Sequence, residues 1–349
     1  MKLFWFSPES FLATNHRTVR TTVLRCRIKS VLLIVAFAFL LWVAGGRAEE
    51  HVDAIRLDWA YYNPLSLILK EKGLLEEEFR KDSIKIEWAQ SLGSNKALEL
   101  LRSRSVDFGS TAGAAALLGR ANGNPIKAIY VYSNPEWTAL VTRPNSGIQH
   151  LQDLKGKRLA VTRGTDPHIF LLRALRSIGL TEKDIELVPL QHPDGKTALE
   201  KGNVDAWAGL DPYMAQLEVE KGYLLFFRNK QWNSYGILNV RESFAKDHPE
   251  LVKRVLAVYE QARLWTLDHR SEARQILAAE AKLTDAVVAK VWERTDFTSS
   301  AIGPIQREAI RASGDILKQS QVIDPGTDID RVVADLIDPG FFPSKVVDK

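Results

Sequence analysis

The chain has 349 residues, a formal net charge of +4, 45% apolar and 26% charged residues, and one cysteine, Cys26. That is long enough for two lobes with sizeable cores, and the balance is that of a globular protein, which excludes a disordered or fibrous chain. One cysteine excludes a disulfide scaffold, a cysteine metal cluster and a CxxC redox motif.

The positive charge is concentrated at the N-terminus. Residues 1–48 carry seven Lys or Arg against Glu9, a net +6, which leaves −2 for the remainder. A nucleic-acid footprint on the body therefore lacks charge support. Residues 17–29 are basic, 31–44 are apolar without a charge, and Gly46 and Ala48 stand at −3 and −1 of a cleavage site after Ala48. Basic, apolar, small-residue order predicts a signal peptide over 1–48 and a periplasmic mature chain. The alternative is an uncleaved membrane anchor, although 14 residues are short for a crossing, which needs ~20.

After the leader, strands are expected at 55–60, 84–88, 106–109, 126–132 and 138–142. Helices are expected at 65–72, 94–104 and 111–121. The alternation predicts a mostly parallel sheet covered by helices. A second series follows, with strands at 157–162, 185–190, 204–208 and 224–227. Its helices are expected at 168–178, at 196–201, and after Asp211-Pro212 up to Gly222. From Pro249 the pattern is helical: Leu251, Val255, Tyr259, Ala262 and Trp265 share a face, and helices follow at 271–281, 284–294 and 304–319. The predicted architecture is α/β with lobe 1 discontinuous (53–142 and 240–335), lobe 2 at 146–235, and a tail over 336–349 that is loosely held after Pro339. Crossings between lobes are expected near 142–146 and 235–240. Lys96-Ala97-Leu98-Glu99 before Val106-Asp107-Phe108-Gly109 is echoed by Lys196-Thr197-Ala198-Leu199-Glu200 before Val204-Asp205-Ala206-Trp207. That echo reads as two similar lobes or as generic α/β grammar.

No arrangement for bond-making is present. There is no GxSxG and no HExxH, and the seven histidines (16, 51, 150, 168, 192, 248, 269) show no metal-ligand spacing. Gly195-Lys196-Thr197 is not a P-loop, because Leu190 stands where its first glycine belongs. The expectation is no catalytic residue, no metal and no cofactor. What is present is a set of helix starts after strands: Gly93-Ser94-Asn95, Gly109-Ser110-Thr111 and Gly164-Thr165-Asp166. The first N–H groups of a helix lack intrahelical partners and carry partial positive charge, so several converging on a cleft would hold a small oxyanion. Such a cleft lies at the carboxyl ends of the strands. Candidate ligand-binding residues are Tyr61, Tyr62, Ser94, Asn95, Ser110, Thr111, Trp137, Thr165, Asp166, Trp207 and Asp211. The bland alternatives are that the serines and Asp166 and Asp211 cap helices, that Thr165 only starts one, and that Tyr62, Trp137 and Trp207 pack in cores.

Three stretches carry a resemblance. They are Leu151-Gln152-Asp153-Leu154-Lys155-Gly156-Lys157-Arg158-Leu159-Ala160-Val161, Val106-Asp107-Phe108-Gly109-Ser110-Thr111, and Gly202-Asn203-Val204-Asp205-Ala206-Trp207 with Asp211-Pro212-Tyr213. With His168 and the helix after it, they resemble periplasmic solute-binding proteins of ABC importers, in the branch that takes aliphatic sulfonates, taurine and nitrate. The resemblance implies a two-lobed, type II Venus-flytrap fold, each lobe a mixed sheet flanked by helices. It also implies a monomer that captures a small organic anion, with a role in sulfur metabolism. Its partners would be a membrane permease and ATPase, and Ser110, Thr111 and Thr165 match cleft positions. Ala60 and Ala112-Gly113-Ala114 depart from the sulfonate binders' pattern. The alternative ligand is heterocyclic or aromatic, such as a pyrimidine precursor. A pyrimidine-making enzyme of the same superfamily uses a Cys-rich motif that the mature chain lacks.

Overall fold

A computed structural model describes residues 52–342. The predicted leader and residues 343–349 lie outside them. Two mixed sheets, each flanked by helices, form two lobes.

The first lobe opens with β1 (Ala54–Trp59), α1 (Pro64–Lys72) and α2 (Leu74–Phe79). The Asn63 side chain accepts from Ser66 N–H and proline stands in the first turn of α1. Gly73 ends that helix in the left-handed conformation, which a residue without Cβ adopts freely. Then come β2 (Lys85–Gln90), α3 (Ser94–Arg102), β3 (Phe108–Ala112), α4 (Gly113–Ala121) and β4 (Ile126–Pro135). The second lobe holds β5 (Thr138–Thr142), β6 (Arg158–Val161), α5 (Asp166–Ser177), β7 (Glu186–Pro189), α6 (His192–Glu200), β8 (Ala206–Leu210), α7 (Tyr213–Lys221) and β9 (Leu224–Phe227). The chain returns as β10 (Gly236–Arg241), α8 (Glu242–Asp247), α9 (Pro249–Asp268), α10 (Arg270–Ala281), α11 (Asp285–Glu293), the short β11 (Thr295–Asp296), α12 (Pro304–Gln319) and α13 (Ile329–Leu336).

The sheet orders are β11-β4-β10-β3-β1-β2 and β7-β6-β8-β5-β9. In each, three parallel strands lie beside one antiparallel strand that has just crossed from the other lobe: β10 against β3, and β5 against β8. The echo in the sequence is therefore a structural repeat. Arg56 N–H donates to Asp107 Oδ2 at 2.9 Å while Asp107 N–H donates to Arg56 O at 2.7 Å. Arg158 N–H donates to Asp205 Oδ2 at 2.9 Å while Asp205 N–H donates to Arg158 O at 2.8 Å.

Several expectations need correcting. The strand Thr138–Thr142 pairs with β8 and β9 and so sits in the second sheet. The crossings are thus at 136–137 and 228–235, earlier than expected. A short, wholly buried strand carries no local mark of which sheet it joins. Ser110 and Thr111 belong to β3, not to the helix after it. α6 begins at His192, four residues early, with Pro193 in its first turn where a missing N–H costs nothing. The tail from 336 packs on the first lobe, with Leu336 buried and Asp338 N–H donating to Ala128 O, and after Pro339, where a loose end is expected, Phe342 stacks on Tyr130.

The C-terminal helices pack back across the first lobe, as their apolar faces require. α12 and α13 lie on α4, and the buried cluster joining them includes Leu117, Ile310, Leu317, Ile329 and Val333. The core of the second lobe is formed by Leu159, Val161, Phe170, Leu175 and their neighbours.

Candidate functional site

The carboxyl ends of both parallel triads meet between the sheets. On the first lobe, Asp58 of β1 is wholly buried. Its Oδ1 accepts from Ser110 N–H (2.7 Å) and Oγ (2.8 Å), and its Oδ2 from Ser91 Oγ (2.6 Å). Asn63 Nδ2 donates to Ser110 Oγ at 2.7 Å. Tyr62 Oη donates to Ser110 O at 2.9 Å and lies 2.8 Å from Ser91 Oγ. Burial pushes the Asp58 carboxyl up to about 7, against the pull of its serine donors.

The Ser110 hydroxyl is therefore committed to Asp58 and Asn63. The Thr111 hydroxyl accepts from Asn239 Nδ2 at 2.8 Å. Ser94 does not cap its own helix. Its Oγ accepts from Ala112 N–H at 3.0 Å, which ties the start of α3 to the end of β3. At the start of α4, Gly113 N–H donates to Tyr235 O (2.8 Å) and Ala114 N–H to Ser234 Oγ (3.2 Å). That helix start is closed by the second crossing.

On the second lobe Thr165 is the N-cap of α5, and its Oγ1 donates back to Thr162 O at 2.6 Å. Asp166, the first helical residue, is buried. Its Oδ2 accepts from Trp137 Nε1 (2.8 Å) and Ser234 N–H (2.9 Å), and its Oδ1 from Ser234 Oγ (2.8 Å). Burial raises this carboxyl too. Trp137 meets Tyr62 edge-to-face, with ring centroids 6.1 Å apart. Tyr62, Ser94, Ser110, Thr111, Trp137, Thr165 and Asp166 thus converge on one buried region.

Asn95 lies in the first turn of α3, opposite His192. His192 is wholly buried and burial alone drives its imidazole down to about 3. Among the described residues neither of its ring nitrogens has a hydrogen-bond partner.

Three predicted site residues stand elsewhere. Trp207 is in the core of the second lobe with Val141, Ala160, Leu199 and Met214. A wholly apolar setting outweighs any use of its ring as a pocket wall. Asp211 accepts from Ala215 N–H at 2.9 Å and lies 3.5 Å from Arg294 Nη1, so it caps α7 and anchors the end of α11. Tyr61 Oη donates to Glu280 O at 3.2 Å and its ring packs on Trp59, away from the other site residues.

Sequence reasoning does not single out Asp58, Ser91, Ser234 or His192 as site residues. Asp58 sits in a strand and reads as an ordinary solvent-side residue. Ser234 lies in a crossing whose position the sequence conceals. His192 stands just before Pro193, a helix-start signal.

The model of the NMT1/THI5-like family matches residues 70–273. The chain belongs to this family. It is 30% identical over 312 residues to a Bacillus subtilis protein named as an aliphatic sulfonates-binding protein, covering 87% of this chain and 94% of that one. The alkanesulfonate-binding protein SsuA of Xanthomonas axonopodis pv. citri, solved bound to MOPS, superposes with a TM-score of 0.74 at 24% identity, covering 80% of this chain and 97% of that one. That likeness establishes the periplasmic-binding-protein fold. A more distant relative, a 4-amino-5-hydroxymethyl-2-methylpyrimidine phosphate synthase of Legionella pneumophila, is 25% identical over 78% of this chain and 88% of its own length. The relatives thus include both binders and an enzyme, and those of higher identity favour a binding role here. Among the described residues no group of His, Cys, Asp or Glu is placed to hold a metal, and no helix is long and apolar enough to cross a membrane.

Proposed function

We propose that this chain is the substrate-binding subunit of an ABC importer, acting outside the cytoplasmic membrane. It captures a small organic anion of the aliphatic sulfonate class between its lobes and delivers it to a membrane permease driven by an ATPase. The observation that carries this reading is the arrangement of the two sheets. Two lobes of one topology, joined by two crossings, bring helix starts from both lobes to one buried polar region, where a ligand biases the lobes toward their closed arrangement. The relative named for aliphatic sulfonates supports the ligand class.

The test is calorimetric titration and thermal unfolding of the mature chain with methanesulfonate, ethanesulfonate, hexanesulfonate and taurine. A ligand at a hundredfold excess over its Kd adds ~2.7 kcal/mol of stability. One-to-one binding of a sulfonate with such stabilisation is expected. No response to any of them rejects the ligand class.

One feature favours a second reading, a heterocyclic ligand. Two buried carboxylates, Asp58 and Asp166, border the edge-to-face pair Tyr62–Trp137, a setting that suits a flat ring bearing hydrogen-bond donors. A shift with an aminopyrimidine and none with sulfonates selects it.

A further inference from the structure

One face of α5 reaches across the seam between the lobes. Asp166, Ile169, Arg173 and Arg176 recur on it at helical spacing, and the helix packs against α4 and α12 of the first lobe. Ile169 is buried in the first lobe's apolar cluster, with Leu117, Leu118, Ile310 and Leu317, and not in the core of its own lobe. Arg173 Nη2 donates to Ser313 Oγ of α12 at 2.9 Å, and Arg176 Nη1 donates to Gln319 O at 3.1 Å. Beyond Arg176 the helices part around a cavity of about 420 Å³ lined by Leu172, Arg176, Gln319 and Ser320, so the contact is a short stripe.

The stripe sets two opposed contributions side by side. Closing it removes Ile169 from water, which favours the closed arrangement. Closing it also strips water from the Arg173 guanidinium. That group donates one hydrogen bond, its Nε is buried without a partner, and among the described residues it forms no ion pair. Burial pulls its pKa below the usual arginine value, against the attraction of Asp166 two turns earlier. Arg263 and Arg294, which are also buried, are each paired with a carboxylate, Glu260 and Asp211. A charge taken from water without such a pair opposes the arrangement that buries it. Ser313 does not depend on Arg173, because its hydroxyl donates to Ala309 O at 2.9 Å.

We propose that Ile169 and Arg173 set the balance between open and closed lobes: Ile169 latches α5 onto the first lobe, and Arg173 keeps that latch releasable. Both act through the seam and not through contact with the ligand. This deepens the proposed function and rests on its opening and closing lobes, whatever the ligand. A carrier that must give up its cargo needs a contact that favours closure without locking it, and an apolar side chain beside an incompletely bonded charge supplies that.

The test is small-angle X-ray scattering of the unliganded mature chain, with calorimetry of ethanesulfonate, on wild type, Ile169→Ala and Arg173→Leu. Leucine keeps an apolar stem in the seam and removes the charge. The variants are expected to move in opposite directions. Ile169→Ala has the larger radius of gyration and a Kd raised about tenfold, and Arg173→Leu has the smaller radius and a Kd lowered about fivefold, because a change in the closed population passes into apparent affinity. Two substitutions that only damaged packing would move together. Where Ile169→Ala does not fold, Ile169→Val takes its place with the same expected order against Arg173→Leu. Equal radii, the reverse order, or affinities shifted in one direction overturn the latch and leave the importer reading standing. A wild-type chain that does not bind ethanesulfonate overturns the sulfonate ligand class alone, since the radii decide the latch without ligand.

Discussion

Asp166 and Ser234 are joined twice: the carboxylate accepts from the serine hydroxyl at 2.8 Å and from its N–H at 2.9 Å. The same carboxylate takes the Trp137 indole N–H. Trp137 lies on the first crossing between lobes and Ser234 on the second, so one residue at the start of α5 clasps both. Ser234 Oγ also accepts from Ala114 N–H on the first lobe. The lobes are thus linked through a buried acid rather than through chain connectivity alone.

Asp166→Asn is expected to lower unfolding stability by about 2–3 kcal/mol. The amide turns an NH2 toward donors that need acceptors, and a hydrogen bond to a charged group contributes more than a neutral one. Urea unfolding at neutral pH measures this. A loss below about 0.5 kcal/mol would mean that the clasp adds nothing to stability.

The pH dependence of stability separates two buried groups of opposite sign. Asp58 is raised to about 7, so the folded chain holds a proton that the unfolded chain has released. Its contribution is fully present below about pH 4 and is lost as pH rises through 7. His192 is lowered to about 3, so its effect is reversed. The unfolded chain takes up a proton that the folded chain refuses, and stability falls as pH drops from 6.5 toward 3. Unfolding free energies of wild type, Asp58→Asn and His192→Leu across pH 4.5–7.5 check the signs. Asp58→Asn should fall less than wild type as pH rises, and His192→Leu less as pH drops. Three parallel curves would contradict both assignments.

Trp207→Ala is expected to cost about 3–5 kcal/mol, as for other buried large-to-small changes, and to leave the order of ligand preference unchanged. Trp137→Phe keeps a ring against Tyr62 but removes the bond to Asp166. It should change affinity as well as stability. Melting temperatures with and without ligand distinguish them; a changed ligand order in Trp207→Ala would return that residue to the site.

Periodicity and helix punctuation made most of the fold legible, because a 3.6-residue apolar repeat ended by Gly73, Gly179 or Gly222 has few alternatives. Long-range choices were not legible. The strand Thr138–Thr142 has five buried residues and would suit either sheet; pairing with β8 and β9 decides it. The helix Ile329–Leu336 leaves little mark in the sequence because it has eight residues and follows a polar loop. At the site, small hydroxylic residues after strands pointed to the right region, yet the sequence could not say who bonds to whom. Ser110 is taken by Asp58, fifty-two residues away, and Ser94 by the backbone of β3. His192 is inconspicuous because the sequence pattern suggests a helix from Lys196, although Pro193 marks the true start.

The most direct measurement is a crystal structure of the mature chain grown with ethanesulfonate. The account predicts the sulfonate enclosed between the carboxyl edges of the two sheets. A sulfonate bound outside the interlobe gap, or a gap filled by protein side chains with no room for a guest, would contradict capture between the lobes.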